Sequence, residues 1–384
     1  MIIQGKTPGS ETIININIES GVITHISPYD PAVTVDAGSP DLYVCPGFFD
    51  PQVNGFGGVD FNGDKVTTDD LHKAARALAS TGITSFFPTL ITGSQEKALA
   101  RLRTLTAALE EDPLFRRMCS GIHLEGPYIS PEEGFRGAHQ PEFIRPPKWE
   151  EFEKFQEAGK GQIRLLTLAP EIEGAIPFIE RAAKKGIVIG LAHTNASEEI
   201  LEQAFRAGAR LSCHLGNGAR ALLPRHRNPI QKQLAMDGLL ASIIADGVHL
   251  PDYVVKNFIR AKGGDRILLT TDSMAGAGAP PGRYTIGNLE VEIDEEDGSA
   301  RFPGTPYLAG STLTMDRAVG NVIRYSQIPL FSGIQMARQN AARLFPNLRE
   351  EILPGSPANI VLFEHREKLK IKDVWVHGEE IFKA

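Results

Sequence analysis

From residue 48 onward, short apolar runs alternate with stretches whose apolar positions recur every three to four residues. The runs are Phe48–Val53, Thr84–Thr89, Gly121–Glu125, Arg164–Ala169, Ile187–His193, Arg210–His214, Ala241–Asp246 and Ile267–Asp272. Between them, Asp69–Ser80, Gln95–Glu110, Ile176–Lys185, Ser197–Ala207 and Asp252–Ala261 carry the period of amphipathic helices. Ser197 followed by Glu198 and Glu199 marks a helix start. Eight runs with intervening helices predict a (β/α)8 barrel. An open doubly wound sheet is the alternative, and the number of runs favours the barrel.

The two ends follow a different rhythm. Thr12–Ile18 and Gly21–Ile26 alternate like strands, and Cys45-Pro46-Gly47 closes that region. Strand patterns return at Gly355–Phe363 and Val374–Gly378, so both termini are expected to pair into one small sheet domain, residues 1–47 with 354–384. The barrel then occupies 48–353. Within it, 283–308 reads as a β-hairpin insertion: Tyr284–Ile286, Glu290–Ile293 and Ala300–Phe302, with Asp297-Gly298 between the last two. Two more helices are expected over Thr312–Tyr325 and Ser332–Leu344.

Length and charge narrow the function. At 384 residues the chain can hold one large domain and a small one. A net charge of −7 without a Lys/Arg block argues against nucleic-acid binding, although a local cleft can still take an anion. Cys45, Cys119 and Cys213 are too scattered for a disulfide framework or a thiolate zinc site. No apolar run reaches membrane-spanning length, and the N-terminus lacks the basic and apolar regions of a signal peptide, so the cytoplasm is the expected location.

The chemistry gathers at strand ends. Ile122–Glu125 stops at Gly126-Pro127, because proline cannot donate to a ladder. A strand of period two puts His123 and Glu125 on one face. A loop rich in Pro and Gly follows, ending in Gly137-Ala138-His139. Other runs end at His193, His214 and Asp272, and Asp246 with His249 marks another strand end. A lone histidine is more often a packed or surface residue. Four acid, base or ligand residues at four strand ends are different, since in a barrel they converge on one rim. One Glu and two His leave a position open for water, as catalytic zinc requires. Metal lowers the pKa of bound water to about 7, and Asp272 is then the free carboxylate that takes the proton and returns it to a leaving group. Gln52 and Asn54 stand where a two-metal barrel hydrolase would need two more histidines, and amides are poor zinc ligands, so one metal is expected. His123 is expected to be structural or to support the ligands. Asp50 is either a polar group of the barrel or an orienting neighbour.

Read together, these motifs have a known counterpart. Pro46-Gly47-Phe48-Phe49-Asp50 with Gln52 and Asn54-Gly55, His123-Leu124-Glu125-Gly126-Pro127, Ala192-His193-Thr194-Asn195-Ala196, His214-Leu215 with Asn217, Asp246-Gly247 with His249, and Thr271-Asp272 resemble the N-acetylglucosamine-6-phosphate deacetylases, a single-metal branch of the amidohydrolase superfamily. The likeness runs essentially end to end. It implies a TIM barrel with a small β-sandwich built from both termini, usually in a homodimer, acting on a small amino sugar phosphate. It implies one divalent metal per subunit, zinc with Fe(II) as the alternative, held by Glu125, His193 and His214. Asp272 would be the general base and His139 would polarise the amide carbonyl. Ala138, Asn217, Gly218, His249, Leu308 and Gly310 would line or hold the sugar phosphate.

One segment departs from the family pattern. After His214 the family commonly reads Asn-Ala-Met, whereas this chain has Asn217-Gly218-Ala219-Arg220. The family's phosphate arginine has its nearest counterpart in Arg227, with Arg225 a rival. Two other functions stand beside this one: an amidohydrolase acting on a different acylated amine or cyclic amide, and a barrel scaffold without catalysis. The intact set of Glu125, His193, His214 and Asp272 opposes the scaffold.

Overall fold

The computed structural model describes residues 1–348 and 351–384. Eight strands form the central sheet: β1 (Phe48–Val53), β2 (Ile83–Ile91), β3 (Ile122–Glu125), β4 (Ile163–Leu168), β5 (Val188–Leu191), β6 (Ala209–Ser212), β7 (Leu240–Ile243) and β8 (Ile267–Leu269). All seven adjacent pairs are parallel and follow chain order. Every expected run contains a strand, so the chain is a TIM barrel and not an open doubly wound sheet.

The seam between β8 and β1 is closed by a side chain more than by a ladder. Val53 bridges to Ser273, and the Asn54 amide donates to the Ser273 carbonyl at 2.8 Å. Just below, the wholly buried Asp50 carboxylate accepts from the Gln52 amide (3.1 Å), the Thr270 hydroxyl (2.8 Å), and the Thr271 amide and hydroxyl. Four donors on one acceptor-only group satisfy a carboxylate that burial would otherwise penalise. Burial still pushes its pKa up to about 6 against those hydrogen bonds. Asp50 therefore fastens the strand carrying Gln52 to the loop carrying Asp272.

Helices cover the outside of the barrel. Their starts follow the sequence closely: Thr67 and Asp70 form a reciprocal capping box for Thr68–Ala79, and Ser197 caps Glu198–Ala207 through Ile200 N. Among the described residues, three α-helices went unrecognised in the sequence: Pro113–Met118, Trp149–Ala158 and Pro229–Ala235. Two of these span under two turns, too short for a periodic signal. The expected helix over Ser332–Leu344 is two pieces, Leu330–Ala337 and a 3-10 segment Gln339–Arg343, separated at Arg338.

Both termini join one seven-stranded sheet in the order Glu379–Lys383, Leu369–Val376, Ile360–His365, Ala37–Pro46, Ile2–Lys6, Ile13–Glu19, Val22–Pro28. The sheet folds back on itself: Val22 bridges to Pro357, and the Gly355 amide donates to the Ile23 carbonyl at 2.8 Å. Ile3, Ile16, Val44, Ile360, Leu362 and Trp375 fill the resulting sandwich. The insertion after β8 is a three-stranded antiparallel sheet, Arg283–Ile286, Leu289–Ile293 and Ala300–Arg301. Asp60 holds its first turn by accepting from Gly287 N (2.8 Å) and Thr285 Oγ1 (3.0 Å).

Candidate active site

Glu125 is the last residue of β3, as the proline after Gly126 dictates, and the residue is 4% exposed. His193, His214 and Asp272 lie two or three residues beyond β5, β6 and β8, past the last paired residue. All three take left-handed backbone conformations, with φ of 51°, 31° and 50°. Such a conformation costs a non-glycine residue about 1–2 kcal/mol. Here it turns each side chain off the strand direction and into the barrel mouth. Backbone strain at a cluster of reactive groups is the pattern expected of a functional site.

The Glu125 Oε1 atom is the hub. It receives His214 Nε2 at 2.8 Å and Gln52 Nε2 at 2.9 Å, and His193 Nε2 lies 3.3 Å away. His193 donates from Nδ1 to the Phe135 carbonyl at 2.8 Å, which leaves Nε2 facing the carboxylate. The ligand atoms of Glu125, His193 and His214 all fall within 4.8 Å of one another and all three residues are buried. Two imidazole nitrogens and a carboxylate oxygen this close repel as lone-pair donors unless a cation or protons lie between them. The set of one carboxylate and two imidazoles suits a divalent metal. Burial acts to raise the Glu125 carboxyl, but hydrogen bonds from His193 and His214 and the nearby histidine charges outweigh it and hold it well below its usual range.

Two glycines let loops close over this centre. A Cβ at Gly218 (φ 60°) would lie 2.5 Å from His193 Nδ1, and one at Gly137 (φ 57°) would lie 2.9 Å from its Cε1. Gly218 lines the cleft, but any side chain there would displace the His193 ring.

Asp272 Oδ1 accepts from Gln52 Nε2 at 2.9 Å and from Asn54 Nδ2 at 2.7 Å. Gln52 and Asn54, read in the sequence only as missing metal ligands, are thus the groups that hold Asp272. Burial, reinforced by the Glu125 charge and opposed by His214, His249 and Asn54, pushes Asp272 up to about 6. His139 pairs through Nδ1 with Thr92 Oγ1 at 2.8 Å, and its Nε2 lies 3.9 Å from Glu125 Oε2. Burial, then the neighbouring His193, lowers its pKa to about 3, so the ring is neutral at ordinary pH. His123 sits deeper, between Thr167 Oγ1 (2.8 Å) and Thr89 Oγ1 (3.3 Å), a packed core histidine beneath the site.

These groups open into a cleft of about 860 Å³. Ala138, Asn217, Gly218, His249, Leu308 and Gly310 all line it. His249 is fixed by Asp246, which takes its Nδ1 at 2.6 Å and its backbone amide at 2.8 Å, and this leaves Nε2 for the cleft. Asn217 turns its amide back to the His214 carbonyl at 3.1 Å.

Arg225 and Arg227 are exposed and do not line this cleft. Among the described residues, the arginines that line the cleft are Arg136 and Arg220. Arg220 pairs with Glu132 at 3.1 Å and lies over the Phe135 ring, while the Arg136 guanidinium has no ion pair among the described residues. Arg136 stands three residues before His139 in a loop already recognised as functional, a signal that was there to be read. Arg220 and Thr92 carried no local signal, since only the fold brings them to the cleft and to His139.

A parallel barrel with a buried Glu–His–His cluster and a carboxylate at its C-terminal rim defines a metal-dependent hydrolase. Residues 43–381 match the amidohydrolase family, and the chain belongs to it. Among its relatives, the N-acetylglucosamine-6-phosphate deacetylase of Bacillus subtilis (strain 168) is 32% identical over 90% of this chain and 88% of its own. The N-acetylgalactosamine-6-phosphate deacetylase of Escherichia coli O157:H7 is 30% identical over 95% and 93%. The crystal structure of N-acetyl-D-glucosamine-6-phosphate deacetylase from Mycobacterium smegmatis superimposes with a TM-score of 0.88 at 28% identity, covering 100% of both chains.

Proposed function

We infer that this chain hydrolyses the acetamide of N-acetyl-D-glucosamine 6-phosphate to glucosamine 6-phosphate and acetate. The observation that carries the reading is Asp272, held on one oxygen beside the buried Glu125–His193–His214 cluster, in a chain whose relatives are amino sugar phosphate deacetylases.

A divalent ion on Glu125, His193 and His214 would supply Lewis acidity and a water acidic enough to ionise near neutral pH. The protein side chains do the rest. Gln52 and Asn54 occupy Asp272 Oδ1, so Oδ2 is the oxygen that accepts the proton of the attacking water. An amine leaves an amide badly unless its nitrogen is protonated, and the same carboxyl returns the proton there. His139 is neutral; in the tautomer in which the Thr92 hydroxyl donates to Nδ1, the ring proton sits on Nε2 and can be donated to the acyl oxygen as charge develops there. His249, Arg136 and Arg220 supply donors for a phosphate at the far side of the cleft. We further take the metal to be zinc, with Fe(II) accepting the same ligands, and the chain to act as a cytoplasmic homodimer. Among the described residues no helix is long and apolar enough to cross a membrane.

The test is acetate release from N-acetylglucosamine and N-acetylgalactosamine, each with and without a 6-phosphate. Preference for the phosphorylated gluco sugar is expected. The galacto epimer is the second reading, favoured by the relative from Escherichia coli O157:H7. Absence of acetate from all four sugars sinks the reading.

A further inference from the structure

The cleft has two unlike arms, and the reactive centre lies between them. On the side of β6 and β7 it is polar, with Asn217, Arg220 and His249. On the side of β2 it is walled by Ile91, Ala138 and Ile286. Ile91 is the register partner of Glu125, and Ala138 is bonded to His139, so this wall borders the centre directly. Ile286 belongs to the first strand of the insertion and is 3% exposed, with Ile91 and Ala138 half-buried against its cluster.

Resting on the deacylase reading, we propose that Ile91, Ala138 and Ile286 form the acyl subsite and set the length of acyl chain the enzyme accepts. An N-acyl amino sugar phosphate places its acyl substituent and its phosphate on opposite sides of the scissile carbon. With the phosphate in the polar arm and the carbonyl at His139, the methyl group must point to the apolar arm. Ile91, Ala138 and Ile286 also line a second cavity of about 10 Å³, together with Thr92, Lys97 and Arg101. The wall is therefore one side chain thick. Its inner face is an insertion pinned by Asp60 to the barrel, so chain-length selectivity depends on a segment outside the (β/α)8 framework.

The experiment follows amine release by metal-loaded, full-length enzyme from N-formyl-, N-acetyl-, N-propionyl- and N-butanoyl-glucosamine 6-phosphate. One methylene in an apolar pocket changes kcat/KM by about 10–200-fold. Wild type should drop by at least about tenfold from acetyl to butanoyl. Ile91→Ala, at a half-buried position, and Ile286→Val should each raise the butanoyl-to-acetyl ratio by about tenfold. Ile91→Phe should shift preference toward formyl. An unchanged ratio in all three variants, with acetyl still hydrolysed, overturns the proposal alone. No amine from any substrate with wild type overturns the deacylase reading beneath it.

Discussion

Gln52 and Asp272, 220 residues apart in the chain, are joined by a 2.9 Å hydrogen bond whose donor, Gln52 Nε2, lies equally close to Glu125 Oε1. One amide thus sets the spacing between the cluster that suits a metal and the carboxylate assigned the proton. Asp272→Asn should keep metal and substrate binding and lose about 10²–10⁴-fold in kcat, the contribution of general acid–base catalysis. Gln52→Leu should lower kcat more than it raises KM, because it loosens Asp272 without touching the substrate. Steady-state kinetics with a metal assay on each variant checks both. Near-normal turnover in Asp272→Asn would place the base elsewhere.

Metal content tests the cluster independently of activity. Elemental analysis of purified protein should give about one divalent ion per chain. Glu125→Gln should lower occupancy strongly, since the amide loses the charge that compensates a dication between two histidines. Two tightly held ions per chain would contradict the role of Gln52 and Asn54.

Asp50 gives a pH signature in stability. Its folded pKa of about 6 lies above its ordinary value of 3.8, with burial as the cause. The folded state therefore binds this proton more tightly than the unfolded state. The stabilisation is present in full below the unfolded value and is lost as pH rises through the folded one. Relative to Asp50→Asn, wild type should lose stability between about pH 4 and 6, measured by urea midpoints across that range. Parallel curves for the two proteins would show that Asp50 does not titrate in that window.

Arg136→Ala should raise KM for a 6-phosphorylated sugar and barely alter that for the plain sugar. The cost expected for a hydrogen bond to a charged group is roughly 1.5–3 kcal/mol, or one to two decades in kcat/KM. Arg227→Ala, outside the cleft of its own chain, should have the smaller effect. A larger effect at Arg227 would mean that a second chain carries it to the phosphate, and would support the homodimer.

The sequence alone determined the barrel, because the apolar runs and their helical intervals are local patterns that eight β/α units repeat. It also determined which residues meet at the rim. Glu125 ends its strand and His193, His214 and Asp272 follow theirs, and every strand of a parallel barrel ends on the same face. The left-handed turns that aim three of these side chains inward were not legible, since the mild preference of histidine and aspartate for positive φ does not say which of them adopts it. Nor was the part played by Gln52 and Asn54, which depends on closure between β8 and β1. The arginine assignment rested on local motif likeness at 222–229. Arg136 and Arg220 reach the cleft because Gly134 and Gly137 let the loop after β3 pack against the loops from β5 and β6, with Gly134 against Arg220 and Gly137 against His193. Strand order is written in short-range pattern; the partners of a side chain across the barrel mouth are fixed only when distant loops pack.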